Sequence, residues 1–194
     1  MKIGIFGGSF NPVHIGHAII ASHIQQHSEL DQVWFMVAPQ NPLKKSHNDS
    51  NMDIHRLRMT ELVTRRIPNA STSAFEFNLP QPSFTINTLG ALKEKFPEHS
   101  FSLIIGADNW ELFPRWKDAE KIIANHDIYI YPRLGFSTDV PEHLKRVHVV
   151  DAPVIEISST QIRKSIAGND DIQFLVTDEV NNYIKQNMLY RNDE

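Results

Sequence analysis

The sequence contains no cysteine. That excludes disulfides, thiolate metal sites and cysteine nucleophiles. It also suits a reducing compartment, so a cytoplasmic location is expected. Positive charge is not in excess: 19 Lys and Arg stand against 23 Asp and Glu, a formal net charge of −4. This argues against a general polyanion binder and leaves a local basic pocket open; no nucleic-acid partner is expected. No apolar run approaches the ~20 residues that cross a bilayer, and the first one breaks at Gly7-Gly8, so no signal peptide and no membrane partner are expected. Three phosphate and nucleophile signatures are missing as well: Gly-x-x-x-x-Gly-Lys-Ser/Thr, Gly-x-Gly-x-x-Gly and Gly-x-Ser-x-Gly. P-loop kinases, typical dehydrogenases and α/β-hydrolases lose ground accordingly.

What is there fits a globular domain. Of 194 residues, 41% are hydrophobic and 22% charged, enough to bury a sizeable core. Near-continuous β-branched or aromatic runs at 3–6, 33–37, 101–105, 128–131, 147–150 and 154–157 read as strands buried on both faces. A weaker strand candidate is 74–77. Between them, apolar residues recur at helical spacing in 15–22, 54–62, 85–96 and 116–124, and again at Val176, Val180, Ile184 and Met188. This alternation predicts an α/β fold with a mostly parallel, doubly wound sheet flanked by helices. No repeat or long linker divides the chain, so 1–194 is read as one domain with a helical portion from about 159.

Parallel sheets bind ligands beyond the carboxyl ends of their strands. The residues that follow the predicted strands are rich in small side chains, hydroxyls, imidazoles and cations. After the first strand comes Gly7-Gly8-Ser9-Phe10-Asn11-Pro12-Val13-His14-Ile15-Gly16-His17. The glycines let a ligand approach the backbone. A helix starting near His14 would put His14 and His17 on one face, beside free N–H groups. Without the histidines this would be an ordinary glycine turn. Zinc binding with His23 and His27 fits poorly, because no carboxylate completes the set. After the last strand comes Ser158-Ser159-Thr160-Gln161-Ile162-Arg163. Ser158 with Gln161 fits a plain capping box. Arg163, however, sits in a first turn, where a cation is unfavourable unless an anion is near. The strand ends also present Lys44 and Lys45, the set Gly106-Ala107-Asp108 with Trp110, and Pro132-Arg133. Lysine pairs usually face water, Asp108 could simply cap a turn, and tryptophans are more often packing residues than stacking platforms.

Residues 7–17 resemble the Gly-x-Phe-x-Pro-x-His-x-Gly-His signature of the nucleotidyltransferase superfamily, and 157–163 resemble its Ile-Ser-Ser-Thr-x-Ile-Arg signature. Ile105 to Asp108 with Trp116, the segment 82–89 and the closing stretch 176–190 are similar to the nicotinate-nucleotide adenylyltransferases of bacteria. The resemblance implies a Rossmann-like fold and a reaction in NAD biosynthesis. ATP and nicotinate mononucleotide, the small-molecule partners, would give nicotinate adenine dinucleotide and pyrophosphate, with Mg²⁺ entering through the ATP phosphates and no protein metal site. It implies catalytic roles for His14, His17 and Arg163. Gly7, Gly8, Ser9, Phe10, Gly106, Asp108, Ser159 and Thr160 would join them in binding ATP. Thr85 and Trp116 would seat the nicotinate ring, and Lys44 or Lys45 would reach the mononucleotide phosphate. The chain departs from the family at Asn87, where Asp is frequent, and at a shortened Pro42-Leu43-Lys44-Lys45. Nicotinamide mononucleotide and phosphopantetheine are the alternative acceptors, and a homo-oligomer stays open. The loop 39–51 is expected to close over substrate.

Overall fold

Alternation within the first strand sets the architecture. In β1 (Lys2–Gly8), Ile3 and Ile5 point to one side of the sheet and Phe6 to the other, and all three are buried. A strand that buries both faces belongs in the middle of a sheet. β1 indeed lies between β2 (Gln32–Val37) and β4 (Ser100–Gly106), pairing Ile5 with Trp34 and with Leu103. Outside these lie β3 (Ala70–Ser73), β5 (Ile128–Tyr131) and β6 (Val147–Val149), in the order β3-β2-β1-β4-β5-β6. Every pairing is parallel. The computed structural model describes residues 1–39 and 50–191.

Helices cover both faces. α1 (Ile15–His27), α2 (Ser50–Thr64), α6 (Ser159–Ala167) and α7 (Asp178–Gln186) bury Ile24, Met59, Ile162 and Ile184 against Phe6 and Phe35. On the other face, α3 (Thr85–Lys95), α4 (Ala107–Leu112), α5 (Ala119–Asn125) and the 3₁₀ turn Phe113–Arg115 bury Leu89, Leu92, Phe113 and Ile122 against Ile3, Ile5 and Leu103. Each such side chain contributes roughly 1.5–3 kcal/mol relative to exposure. The chain leaves β1 toward β2 on one side and later returns to β4 on the other, so a crevice opens beyond the carboxyl ends of β1 and β4.

Two expected strands differ. Residues 154–157 form no strand: Ile155 and Ile157 pack against the core from an irregular approach to α6, and Val154 is exposed. Residues 75–78 form a 3₁₀ turn, and the strand lies just before it, at Ala70–Ser73. That strand is polar because it is an edge, buried against one neighbour only. Residues 147–150 form a strand through Val149. The helical pattern at 116–124 begins later, at Ala119, and the short helix α4 was not expected. No described helix is long and apolar enough to cross a membrane.

Candidate active site

The loop between β1 and α1 carries the densest set of candidates. Phe10 sits at φ 45°, a left-handed backbone, and buries its ring over Gly8. A Cβ on Gly8 would lie 2.9 Å from that ring, so only glycine fits there. The Phe10 ring also meets the His17 ring edge-on at 5.0 Å, so Phe10 supports the site from beneath.

His14 is the extended residue that starts α1, with φ −136° and ψ 171°. Its ring lies over Gly16 and stacks on His17, centroids 3.7 Å apart. The backbone N–H of His14 donates to His17 Nδ1 at 3.2 Å. His17 therefore carries its neutral proton on Nε2, where it is a free donor. Burial, then the Arg133 guanidinium, lowers the His14 pKa to about 4. Burial first, then His14 and Arg133, pushes His17 well below its ordinary value. At neutral pH both imidazoles are uncharged in the unliganded site.

Two clefts adjoin here. One, a narrow crevice, is lined by His14, His17, Arg133, Ile155 and Ile157. The other, roomier and open to solvent, is lined by Gly7, Gly8, Ser9, Gly106, Thr85 and Trp116, among others. They share Phe6 and Tyr131 as a wall. Three buried polar atoms in their linings have no hydrogen-bond partner: His14 Nδ1, Arg133 Nε and Trp116 Nε1. His14 Nδ1 also faces the His17 amide in the capping box of α1, and buried polar atoms are normally paired, so Arg133 Nε and Trp116 Nε1 are the two that suit a polar ligand. Asp108, in the first turn of α4, stands 3.6 Å from Arg133 Nε and has one buried oxygen without a hydrogen bond. Thr85 opens α3, so its helix end presents free N–H groups to the larger cleft.

The second signature plays a structural part as well. Ser158 caps α6 by accepting the Gln161 N–H at 3.1 Å. Ser159 donates to the Pro12 carbonyl at 2.9 Å, and Arg163 Nη1 donates to the Asn11 carbonyl at 2.6 Å. Arg163 Nη2 also donates to the Thr160 hydroxyl at 3.3 Å. The start of α6 is thereby stapled to the histidine loop, and Thr160 is exposed beside it. None of Ser159, Thr160, Arg163, Phe10 and Asp108 lines the two clefts. Trp110 stacks on Phe113 and donates to the Asp139 carbonyl, and it lines neither cleft. His23 and His27 lie 4.3 Å apart with no metal-binding group of three among the described residues. Lys44, Lys45 and most of the loop 39–51 lie outside the described residues.

Three further residues matter here that lie outside the two signatures. Arg133 follows β5 and faces both histidines, and its only sequence signal is that strand-end position. Arg56, on α2, looks like a surface cation in sequence but is buried. It donates to the carbonyls of Ser9 at 2.6 Å and Ala38 at 2.8 Å and pairs with Asp53 at 2.5 Å. Glu76 lines the larger cleft and accepts from the Thr88 hydroxyl at 2.7 Å, and burial raises its pKa.

Known proteins resemble this chain in sequence and in fold. A family model described as cytidylyltransferase-like matches residues 5–165. A probable nicotinate-nucleotide adenylyltransferase of Flavobacterium johnsoniae is 46% identical over 98% of this chain and 100% of its own length. One of the same name from Bacteroides thetaiotaomicron is 47% identical, covering 96% of this chain and 92% of its own. The fold is also that of Plasmodium falciparum nicotinic acid mononucleotide adenylyltransferase, solved in complex with NaAD, at TM-score 0.80, 20% identity and 97% coverage of both chains. The chain therefore belongs to the cytidylyltransferase-like family and, within it, to the nicotinate-nucleotide adenylyltransferases.

Proposed function

We propose that the protein transfers the adenylyl group of ATP to nicotinate mononucleotide, releasing pyrophosphate and forming nicotinate adenine dinucleotide for NAD biosynthesis. The carrying observation is the shared wall between an imidazole–guanidinium cleft and a larger cleft, with unpartnered polar atoms in both. Family membership supports the choice of acceptor.

The attacking group is a phosphate monoester, whose second pKa near ~6 leaves it mostly deprotonated at neutral pH. No general base is needed. An oxygen of that phosphate bonds to Pα as the bond from Pα to the bridging oxygen breaks, and pyrophosphate leaves with the electron pair. What the protein must supply is alignment and donors for the charge on the transferring group. We assign His17 Nε2–H and the His14 ring to the α-phosphate, and Arg163 to the leaving phosphates with Ser159 and Thr160 beside it. Arg133 joins the same phosphate set. Gly7, Gly8 and Ser9 leave room for the nucleotide backbone, with Phe10 beneath them. Gly106 and Asp108 meet the adenosine ribose. Thr85 and the Trp116 indole seat the nicotinate ring, where the end of α3 favours a carboxylate.

Among the described residues no group of three His, Asp or Glu could hold a metal. The donor set suits phosphate oxygens, so we assign any Mg²⁺ to the triphosphate itself, where it would neutralise phosphate charge. Residues 1–194 act as one nucleotidyltransferase domain in this reading, since both cores share a single sheet. A cytoplasmic location suits the cysteine-free composition. The direct test is product identification: Mg-ATP with nicotinate mononucleotide should yield equimolar pyrophosphate and dinucleotide by mass spectrometry. ATP consumption that yields AMP or ADP instead would overturn the assignment.

A further inference from the structure

The loop that carries His14 is gripped from outside by the part of the chain that follows β6. Arg163 holds the Asn11 carbonyl and Ser159 the Pro12 carbonyl. The Ile15 N–H donates to the Leu175 carbonyl at 3.0 Å. A fourth grip comes from the segment after α7: the Tyr190 hydroxyl donates to Asn11 Oδ1 at 2.6 Å. Asn11 is thus fixed at both of its oxygens, by two residues on different elements.

Tyr190 is built for this contact. Its backbone is left-handed, φ 63°, which is unfavourable for a bulky side chain and persists only where contacts hold it. Its ring packs against the core to which α1 and α7 contribute, and its neighbour Leu189 is buried. Burial pushes the hydroxyl's pKa upward, so the group stays a proton donor. Remove that donor and the Asn11 side chain can turn. With the loop pinned at one point fewer, the Asn11 carbonyl that receives Arg163 is held less firmly, while the 3.3 Å contact of Arg163 to Thr160 does not depend on it.

We propose that Tyr190 is a positioning residue for the phosphate side of the site: through Asn11 it fixes both the loop leading to His14 and the guanidinium of Arg163. The inference rests on the reading that His14 and Arg163 face the ATP phosphates. A hydroxyl that merely satisfied its own burial would affect stability alone.

The test uses the whole chain with Tyr190→Phe, Asn11→Ala and the double variant, plus Asn11→Asp as a fold control that keeps an acceptor oxygen. Each is melted, titrated calorimetrically with a non-hydrolysable ATP analogue, and assayed for pyrophosphate release against each substrate. Tyr190→Phe should weaken analogue binding and lower kcat/KM for ATP by roughly tenfold, the scale of one buried hydrogen bond. The KM for nicotinate mononucleotide should stay within about twofold, and the melting temperature should fall by no more than the loss of one buried hydrogen bond explains. The double variant should be no worse than Asn11→Ala, because the two side chains act as one. If Asn11→Ala does not fold, the dependence on Tyr190 is read in Asn11→Asp. Additive effects, unchanged ATP kinetics, or equal losses on both substrates with a lowered melting temperature would each overturn the proposal. Wild-type protein that binds the analogue but does not turn over nicotinate mononucleotide would reject the acceptor, while the analogue titration still decides the role of Tyr190.

Discussion

The rings of His14 and His17 stack with centroids 3.7 Å apart and planes 28° apart. Two imidazolium ions so close would repel, and burial already disfavours charging either one. The pair therefore acts as neutral donors, with the His17 proton directed to Nε2 by the His14 amide. His17→Ala removes that donor and leaves the helix intact. Turnover should fall by roughly 100-fold or more, with an unchanged circular dichroism spectrum. A folded variant with near-normal turnover would contradict this role.

The same burial makes stability depend on pH. Both histidines have lowered pKa values, so below pH ~6.5 the unfolded chain binds more protons than the folded one. Their contribution is complete above the unfolded value. It is lost as pH falls through the window down to about 4 for His14, and further for His17. Urea midpoints should drop between pH ~7.5 and ~5, and a His14→Asn, His17→Asn double variant should drop less. Equal drops in both proteins would count against buried neutral histidines.

Gly16 gives a case where helix propensity and function oppose each other. Alanine is the better helix former by about 1 kcal/mol. Its Cβ, however, would sit 3.0 Å from His14 Nδ1 and 3.2 Å from the Ile155 methyl carbon Cγ2. Gly16→Ala should therefore move the denaturation midpoint little and cut turnover by about tenfold or more, since a displaced ring loses its alignment. Wild-type turnover in that variant would show that the His14 ring position does not matter.

Arg56 ties the histidine loop to the end of β2. Truncating it leaves the Asp53 carboxylate and the carbonyls of Ser9 and Ala38 without their donor. Arg56→Ala should destabilise by about 3–5 kcal/mol, as removal of one member of a buried pair does. Arg56→Lys should fall between, because an ammonium keeps the charge and loses the fork. Guanidinium denaturation at unchanged m-value reads both; a loss in Arg56→Ala below about 1 kcal/mol would fit an ordinary surface cation instead.

How far the sequence foretold this molecule depends on whether a feature is local. Runs such as Ile3 to Phe6 and Phe101 to Ile105 reveal central strands because burial on both faces demands apolar residues throughout. β3, with its sequence Ala-Ser-Thr-Ser, leaves no such trace, since an edge strand needs only backbone pairing. Residues 154–157 mislead in the opposite sense: Ile155 and Ile157 are apolar to cover a cleft and a core, without any ladder. At the site, His14, Gly16 and His17 are legible because one turn of helix holds them all. Arg133 shows in sequence only as a cation at a strand end, and Arg56 and Tyr190 do not stand out, because each reaches the site across the fold and only the assembled sheet brings them there.

The acceptor defines the reaction. Pyrophosphate release from Mg-ATP should be measured in parallel with nicotinate mononucleotide, nicotinamide mononucleotide and phosphopantetheine, and compared as kcat/KM. The highest value with nicotinate mononucleotide is the predicted result. A higher value with either of the other acceptors, or no release with any of them from folded protein that binds ATP, would contradict it.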